Sequence, residues 1–181
     1  MVFKRSQAAR PAAPAQPARP AGIAVRVFTP DYVLSGYVAP PGQAFLGWLN
    51  NVNQRSIVLT HAQAMGLASD SLVQAFSPAE VTLPKNRIVA LDLMDDAGRR
   101  SIQLSPRRVP AAVYAGGLLI RANLHPTGDM PVANLFNVMG GEFFAVSEAG
   151  IRSAEPARDF GPAQTGILLI NRRWVDFFHA L

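Results

Sequence analysis

VRVFTPDYVLSGYVAPPGQAFLGWLNNV at Val25–Val52 and AAVYAGGLLIRANLHPTGDMPVANLFNV at Ala111–Val138 are the two stretches whose comparison decides the fold. They lie 86 residues apart. Laid over each other without a gap, they share Val27/Val113, Pro40/Pro126, Gly42/Gly128, Leu49/Leu135, Asn51/Asn137 and Val52/Val138. The same spacing, carried to the C-terminus, pairs Arg87 with Arg173 and Val89 with Val175. Most remaining pairs exchange one apolar residue for another, so the shared property is hydrophobic spacing and turn chemistry. Self-similarity at a fixed offset predicts one supersecondary unit built twice.

Working outward from the first stretch, Val25, Val27 and Thr29 alternate as in a strand, Pro30-Asp31 turns the chain, and Tyr32–Ala39 supplies a second strand. Pro40-Pro41-Gly42 breaks the pairing. Phe45, Leu46 and Leu49 then have the spacing of a short amphipathic helix, and Asn50-Asn51 suits its end because Asn tolerates the left-handed conformation. Ser56–Thr60 is β-branched and predicts a strand that continues through Met65. Gly66–Ala79 reads as a loop with a helical turn over Ser71–Phe76, followed by strands at Val81–Leu83 and Arg87–Met94. The second copy repeats the order, with strands over Ala111–Ala115 and Leu118–His125, a helix over Met130–Val138, and strands over Glu142–Ala154, Thr165–Ile170 and Arg173–Ala180.

The expected fold is therefore mainly β with short helices, a β-rich α+β protein of two tandem ββαβββ-like modules. The expected divisions are a Pro/Ala-rich basic tail at 1–22, a first repeat at 23–95, an Arg-rich connection at 96–110 and a second repeat at 111–181. Within the connection, Ile102 and Leu104 alternate with polar residues and predict a joining strand. A lone module of this size buries too little surface to be more than marginally stable. Two modules packed as one pseudo-symmetric unit would be safer.

Composition narrows the function classes. The net charge of +5 is uneven: Lys4, Arg5, Arg10 and Arg19 lie in an acid-free tail, and the rest carries thirteen Lys/Arg against twelve Asp/Glu. A broad nucleic-acid footprint is not expected in the folded part. In the tail, Pro11, Pro14, Pro17 and Pro20 recur every third residue, the period of a polyproline II helix. It reads as a semi-rigid tether, with those four cations as candidate contacts. The chain has no cysteine, which removes disulfides and thiol chemistry. No apolar run approaches a membrane span, and a cytoplasmic location is the expectation.

The segment containing Gly36, Pro41-Gly42, Phe45-Leu46, Leu49-Asn50 and Ile57–Leu59 resembles the opening of a family of small bacterial domains of unknown function. That family shows a β-hairpin, a Pro/Gly turn, a short helix ending in Leu-Asn and then an apolar strand. The second copy departs from it at Leu135-Phe136-Asn137 and has Ala122 in place of Gly36. The resemblance implies a fold and no established activity.

Catalytic and cofactor motifs are not found. His61, His125 and His179 form no metal-ligand spacing, and the gapless overlay sets His61 against Ser147 and His125 against Ala39. Asp31 and Asp129 belong to turns, and strand alternation predicts outward positions for Asp92 and Asp176. No Ser stands in a nucleophile elbow, and Gly116-Gly117 and Gly140-Gly141 make no phosphate loop. The expectation is a protein that is not an enzyme and needs no cofactor or metal. The candidate anion-binding residues are Arg99, Arg100, Arg107 and Arg108, whose guanidinium groups offer bidentate donors. The arginine motif of PilZ domains invites comparison, but its later Asp/Asn-x-Ser-x-x-Gly part is missing. The leading expectation is a scaffold or assembly component with a protein partner or a homo-oligomeric state. The alternative is a nucleic-acid or anionic-ligand binding module that uses the tail and the connection arginines.

Overall fold

The computed structural model describes residues 20–42, 44–67, 75–138, 140–155, 160 and 162–181. The chain is mainly β. Strands β1 (Ile23–Phe28) and β2 (Tyr32–Val38) precede helix α1 (Phe45–Leu49); β3 (Ser56–Gly66), β4 (Ala75–Phe76), β5 (Glu80–Pro84) and β6 (Ala90–Leu93) follow. After α2 (Asp96–Arg100) come β7 (Val109–Ala115), β8 (Leu118–Leu124), α3 (Leu135–Val138), β9 (Phe143–Ser153), β10 (Ala163–Asn171) and β11 (Val175–Ala180). All eleven strands join one antiparallel sheet in the order β11-β7-β8-β9-β10-β6-β1-β2-β3-β4, with β5 also pairing β3.

The pairing scheme of β6-β1-β2-β3-β5 recurs in β11-β7-β8-β9-β10. Up to the helix, equivalent residues are 86 apart: β2 and β8 both run seven residues, from Tyr32 and from Leu118. From the next strand on, the offset is 87. Strands β3 and β9 both run eleven residues, from Ser56 and from Phe143. The 3-10 turns Lys85–Arg87 and Arg172–Trp174 keep that offset. So do the pairs Val25↔Leu93 and Ala111↔Ala180. One extra residue between helix and strand in the second copy therefore displaces the gapless overlay. His61 is equivalent to Glu148, not Ser147, and Arg87 to Trp174, not Arg173. Among the described residues, His61 and Glu148 are the two non-glycine residues with positive φ (51° and 53°), each at the bulge of its long strand.

Local chemistry accounts for these elements. Phe45, Trp48 and Leu49 place α1 on the core at helical spacing. Asn50 does not use the left-handed conformation; it is right-handed (φ −83°), and its side chain acts elsewhere. Gly116 and Gly117, both at positive φ, form the two-residue β7–β8 hairpin, a turn that demands that geometry at both positions. The connection departs from its expected strand. Asp95 caps α2 by accepting from the Gly98 N–H at 2.8 Å, and the chain from Ser101 to Arg108 is without strand pairing. Ile102 is buried there as a plug in the core, so its alternation with Leu104 reflects packing.

Two hydrophobic clusters fill the fold, and each crosses the repeat. The first contains Val25, Val27, Leu34, Phe45, Leu49, Ile57 and Leu91, together with Phe143 and Leu169 from the second copy. The other contains Val113, Ile120, Leu124, Val146 and Ile170, together with Phe28, Val89 and Ala90 from the first. Strands β6 and β10 meet through Leu168↔Asp92, Leu169↔Leu91 and Ile170↔Ala90, and every residue of β6 is buried. A strand covered on both faces loses the polar-out alternation that an edge strand would show. For that reason Asp92 is buried rather than outward. It accepts from Arg26 Nη2 at 2.7 Å and from the Thr165 hydroxyl on β10. Asp176, on β11, is exposed as expected.

Candidate docking edge and seam cleft

The seam between the copies is built from the end of α1, the 3-10 turn after β5, and the starts of β9 and β11. Asn50 Nδ2 donates to the Phe143 carbonyl at 2.9 Å, and its Oδ1 accepts from the Phe143 N–H at 2.8 Å, imitating a strand pair. Asn171 N–H donates to the Val89 carbonyl at 3.0 Å, and its side chain reaches the Lys85 carbonyl. Trp174 Nε1 donates to the Asn86 carbonyl at 3.0 Å. Lys85 is buried: its ammonium donates to the Leu49 and Asn51 carbonyls at 2.8 and 2.9 Å, where a cation complements the end of a helix, and lies 3.8 Å from Glu142. Burial is the main cause holding its pKa below the usual lysine value; Glu142 opposes that shift and Arg173 adds to it.

Above Lys85 opens a cleft of about 620 Å³ lined by Arg55, Arg172, Arg173, Glu142, Asn86 and the Gly140-Gly141 backbone, among others. Four cations face one carboxylate, and Glu142 is bound by Arg173 at 2.8 Å. The cleft is an electropositive notch between the copies.

Beside it lies the β11 end of the sheet. Among the described residues, strand β11 pairs only with β7, whereas its equivalent β6 pairs with both β1 and β10. The consequence is visible in burial: Ala90 of β6 is fully covered, but the equivalent Phe177 is 57% exposed. Phe177 stacks on Tyr114, at 4.2 Å between ring centroids, and Phe178 packs edge-on against Phe136 at 4.7 Å. Phe136, Arg172, Arg173, Val175, Asp176, Phe177 and Phe178 line a groove of about 430 Å³ along the first half of this edge. Its six residues contain no Pro and no Lys, and Asp176 is their one acidic or basic charge, so the edge is lightly guarded.

The candidate anion-binding arginines are dispersed, and none of the four lines the seam cleft. Arg99 donates to the Leu93 and Met94 carbonyls and lies 3.5 Å from Asp96, which also faces Arg100 at 3.8 Å. Arg107 holds the Gly128 and Met130 carbonyls, and Arg108 binds Glu148 at 2.8 Å. They act as clasps within the chain. Lys4, Arg5, Arg10 and Arg19 lie outside the described residues. His125 bridges the Ser105 carbonyl and the Ser147 hydroxyl, and Asp31 pairs with Arg87. No group of three or more potential metal ligands occurs among the described residues, and no helix among them is long and apolar enough to cross a membrane.

Sequence reasoning gave Asn50 only the end of a helix and assigned no functional role to Lys85 or Glu142. Signals existed: Asn50 replaces an apolar residue of the second copy, Phe136, and Phe177 stands where the first copy has Ala90. Finding the second signal requires the one-residue shift, which only the strand registers reveal. Comparisons with protein-family models, with curated proteins and with solved structures give no match for this chain.

Proposed function

We propose that this protein is a non-enzymatic assembly component that binds through the β11 edge, with the basic tail as its tether. The observation that carries the reading is the contrast between β6, sealed by β10, and its equivalent β11, which has no second strand beside it among the described residues. Strand addition to such an edge supplies backbone hydrogen bonds for affinity, and the flanking groove supplies side-chain selectivity. The expected result is that Phe177→Lys, which places a guarding charge on the edge, removes the specific complex of the full chain. Chemical cross-linking at matched concentration, of each protein alone and mixed with cell extract, reads it out whether the occupant of the edge is a second copy or a foreign strand. An unchanged cross-linked species would count against the proposal.

A second reading, anionic-ligand binding, is favoured at the seam cleft rather than at the connection arginines, because four cations converge there on one carboxylate. Calorimetric titration with tripolyphosphate at low salt is expected to show binding that weakens steeply with salt and disappears in the Arg55→Gln/Arg172→Gln double variant. Heat unaffected by these substitutions would remove this reading.

A further inference from the structure

The chain contains a worked example of how its own edge is covered, and the example identifies the occupant of β11. Resting on the assembly reading above, we propose that β11 and its groove accept an extended strand of a different protein, apolar along its length and acidic at its C-terminal end. The β5 edge of a second copy is excluded as that occupant.

The repeat supplies an exact template for the alternative. If copies joined head to tail as the two halves join internally, β5 of one chain would cover β11 of the next, as β10 covers β6. Three contacts of the internal junction fail in that arrangement. Asn171 gives its N–H to the Val89 carbonyl, but its equivalent in β5 is Pro84, which has no N–H. The Lys85 N–H donates to the Arg55 carbonyl just before β3, so strand alternation points the Pro84 nitrogen outward, at the place where an edge is best guarded. Glu142 faces Lys85 and binds Arg173; the equivalent of Glu142 is Arg55 and that of Lys85 is Arg172, so a favourable pair becomes two like charges. Asn50, which grips the Phe143 backbone with two hydrogen bonds, is replaced by Phe136, which offers none. One edge is closed to self-addition and the other is open. A sheet that must not polymerise but must bind has this asymmetry.

The same template specifies the partner. The Leu181 N–H donates to the Pro110 carbonyl, so alternation turns the backbone groups of Phe178 and Ala180 away from β7, as those of Leu91 and Leu93 turn toward β10. An incoming antiparallel strand then runs with its C-terminal end toward Arg172 and Arg173. Those two guanidinium groups and the Asp176 carboxylate share a groove otherwise lined by Phe136, Val175, Phe177 and Phe178, and Arg173 also binds Glu142 at 2.8 Å. Apolar side chains meet the aromatics, and a terminal carboxylate meets the arginines, as Glu142 meets Lys85 at the seam.

The test uses the full chain and a fluorescein-labelled peptide copying Ala163–Asn171, extended at its C-terminus by two glutamates. A second peptide carries two lysines instead. Anisotropy is expected to show the glutamate peptide binding at least tenfold more tightly than the lysine peptide, with Ala180→Pro weakening it by tenfold or more. Arg172→Gln should reduce the discrimination between the peptides, and light scattering should show a monomer at all concentrations. Circular dichroism melts of each variant verify folding. Self-association abolished by Phe177→Lys would overturn the foreign-strand assignment while leaving edge-mediated assembly intact. Equal affinity for the two peptides would overturn the acidic specification. A monomer that binds neither peptide would overturn both this inference and the assembly reading.

Discussion

Replacing Asp92 by alanine is expected to destabilise the chain by about 3 kcal/mol, the largest effect of any single polar substitution in the junction. Its carboxylate is nearly inaccessible, and it holds Arg26 of β1 and Thr165 of β10, so both neighbouring strands lose their common partner on β6. The magnitude lies toward the low end for a broken buried pair because the Arg26 side chain is 27% exposed and can rehydrate in part. The Arg26 Nε is already a buried nitrogen without a hydrogen-bond partner, so the site has no spare acceptor to replace the lost one. Urea unfolding measures the loss, and a shift in Tm of about 6–12 °C should accompany it. Arg26→Met combined with Asp92→Leu should recover most of the stability, since the cost arises from an orphaned charge more than from a missing bond. A single-variant effect below about 1 kcal/mol would show that the junction does not depend on this pair.

Leu169→Ala is expected to cost about 3 kcal/mol and to do so in one cooperative transition. Leu169 belongs by sequence to the second copy, but its fully buried side chain packs in the cluster of Val25, Leu34 and Leu91 from the first. The reciprocal trespass is Phe28 and Val89 in the other cluster. With cores that interpenetrate in this way, neither copy can lose its packing alone. Calorimetry should therefore give one transition for the native chain and one, at lower temperature, for the variant. Two transitions, of which only the second moves, would mean that the copies are energetically independent.

How much of this was legible beforehand depends on the reach of each interaction. Strands, turns and the short helix were legible because alternation, Pro/Gly breaks and i, i+3, i+4 spacing are local. The connection was misread because Ile102 and Leu104 alternate for the sake of a core contact, and two apolar residues cannot distinguish a paired strand from a plug. Asp92 was misplaced because its burial comes from β10, 73 residues away along the chain at Thr165. The arginine pairs stood out by composition, but guanidinium groups satisfy groups of their own chain as readily as ligands: Arg99 and Arg107 donate to carbonyls, and Arg100 and Arg108 face Asp96 and Glu148.

The sequence by itself determined a mainly β chain with short helices, because hydrophobic spacing and turn residues are local. Only the tertiary structure decided that equivalence shifts by one residue after the helix, which copy's edge is sealed, and which is left open. Those facts belong to pairings between distant strands. Pro84, Arg55 and Phe136 acquire their meaning only when set against Asn171, Glu142 and Asn50 across a shared sheet.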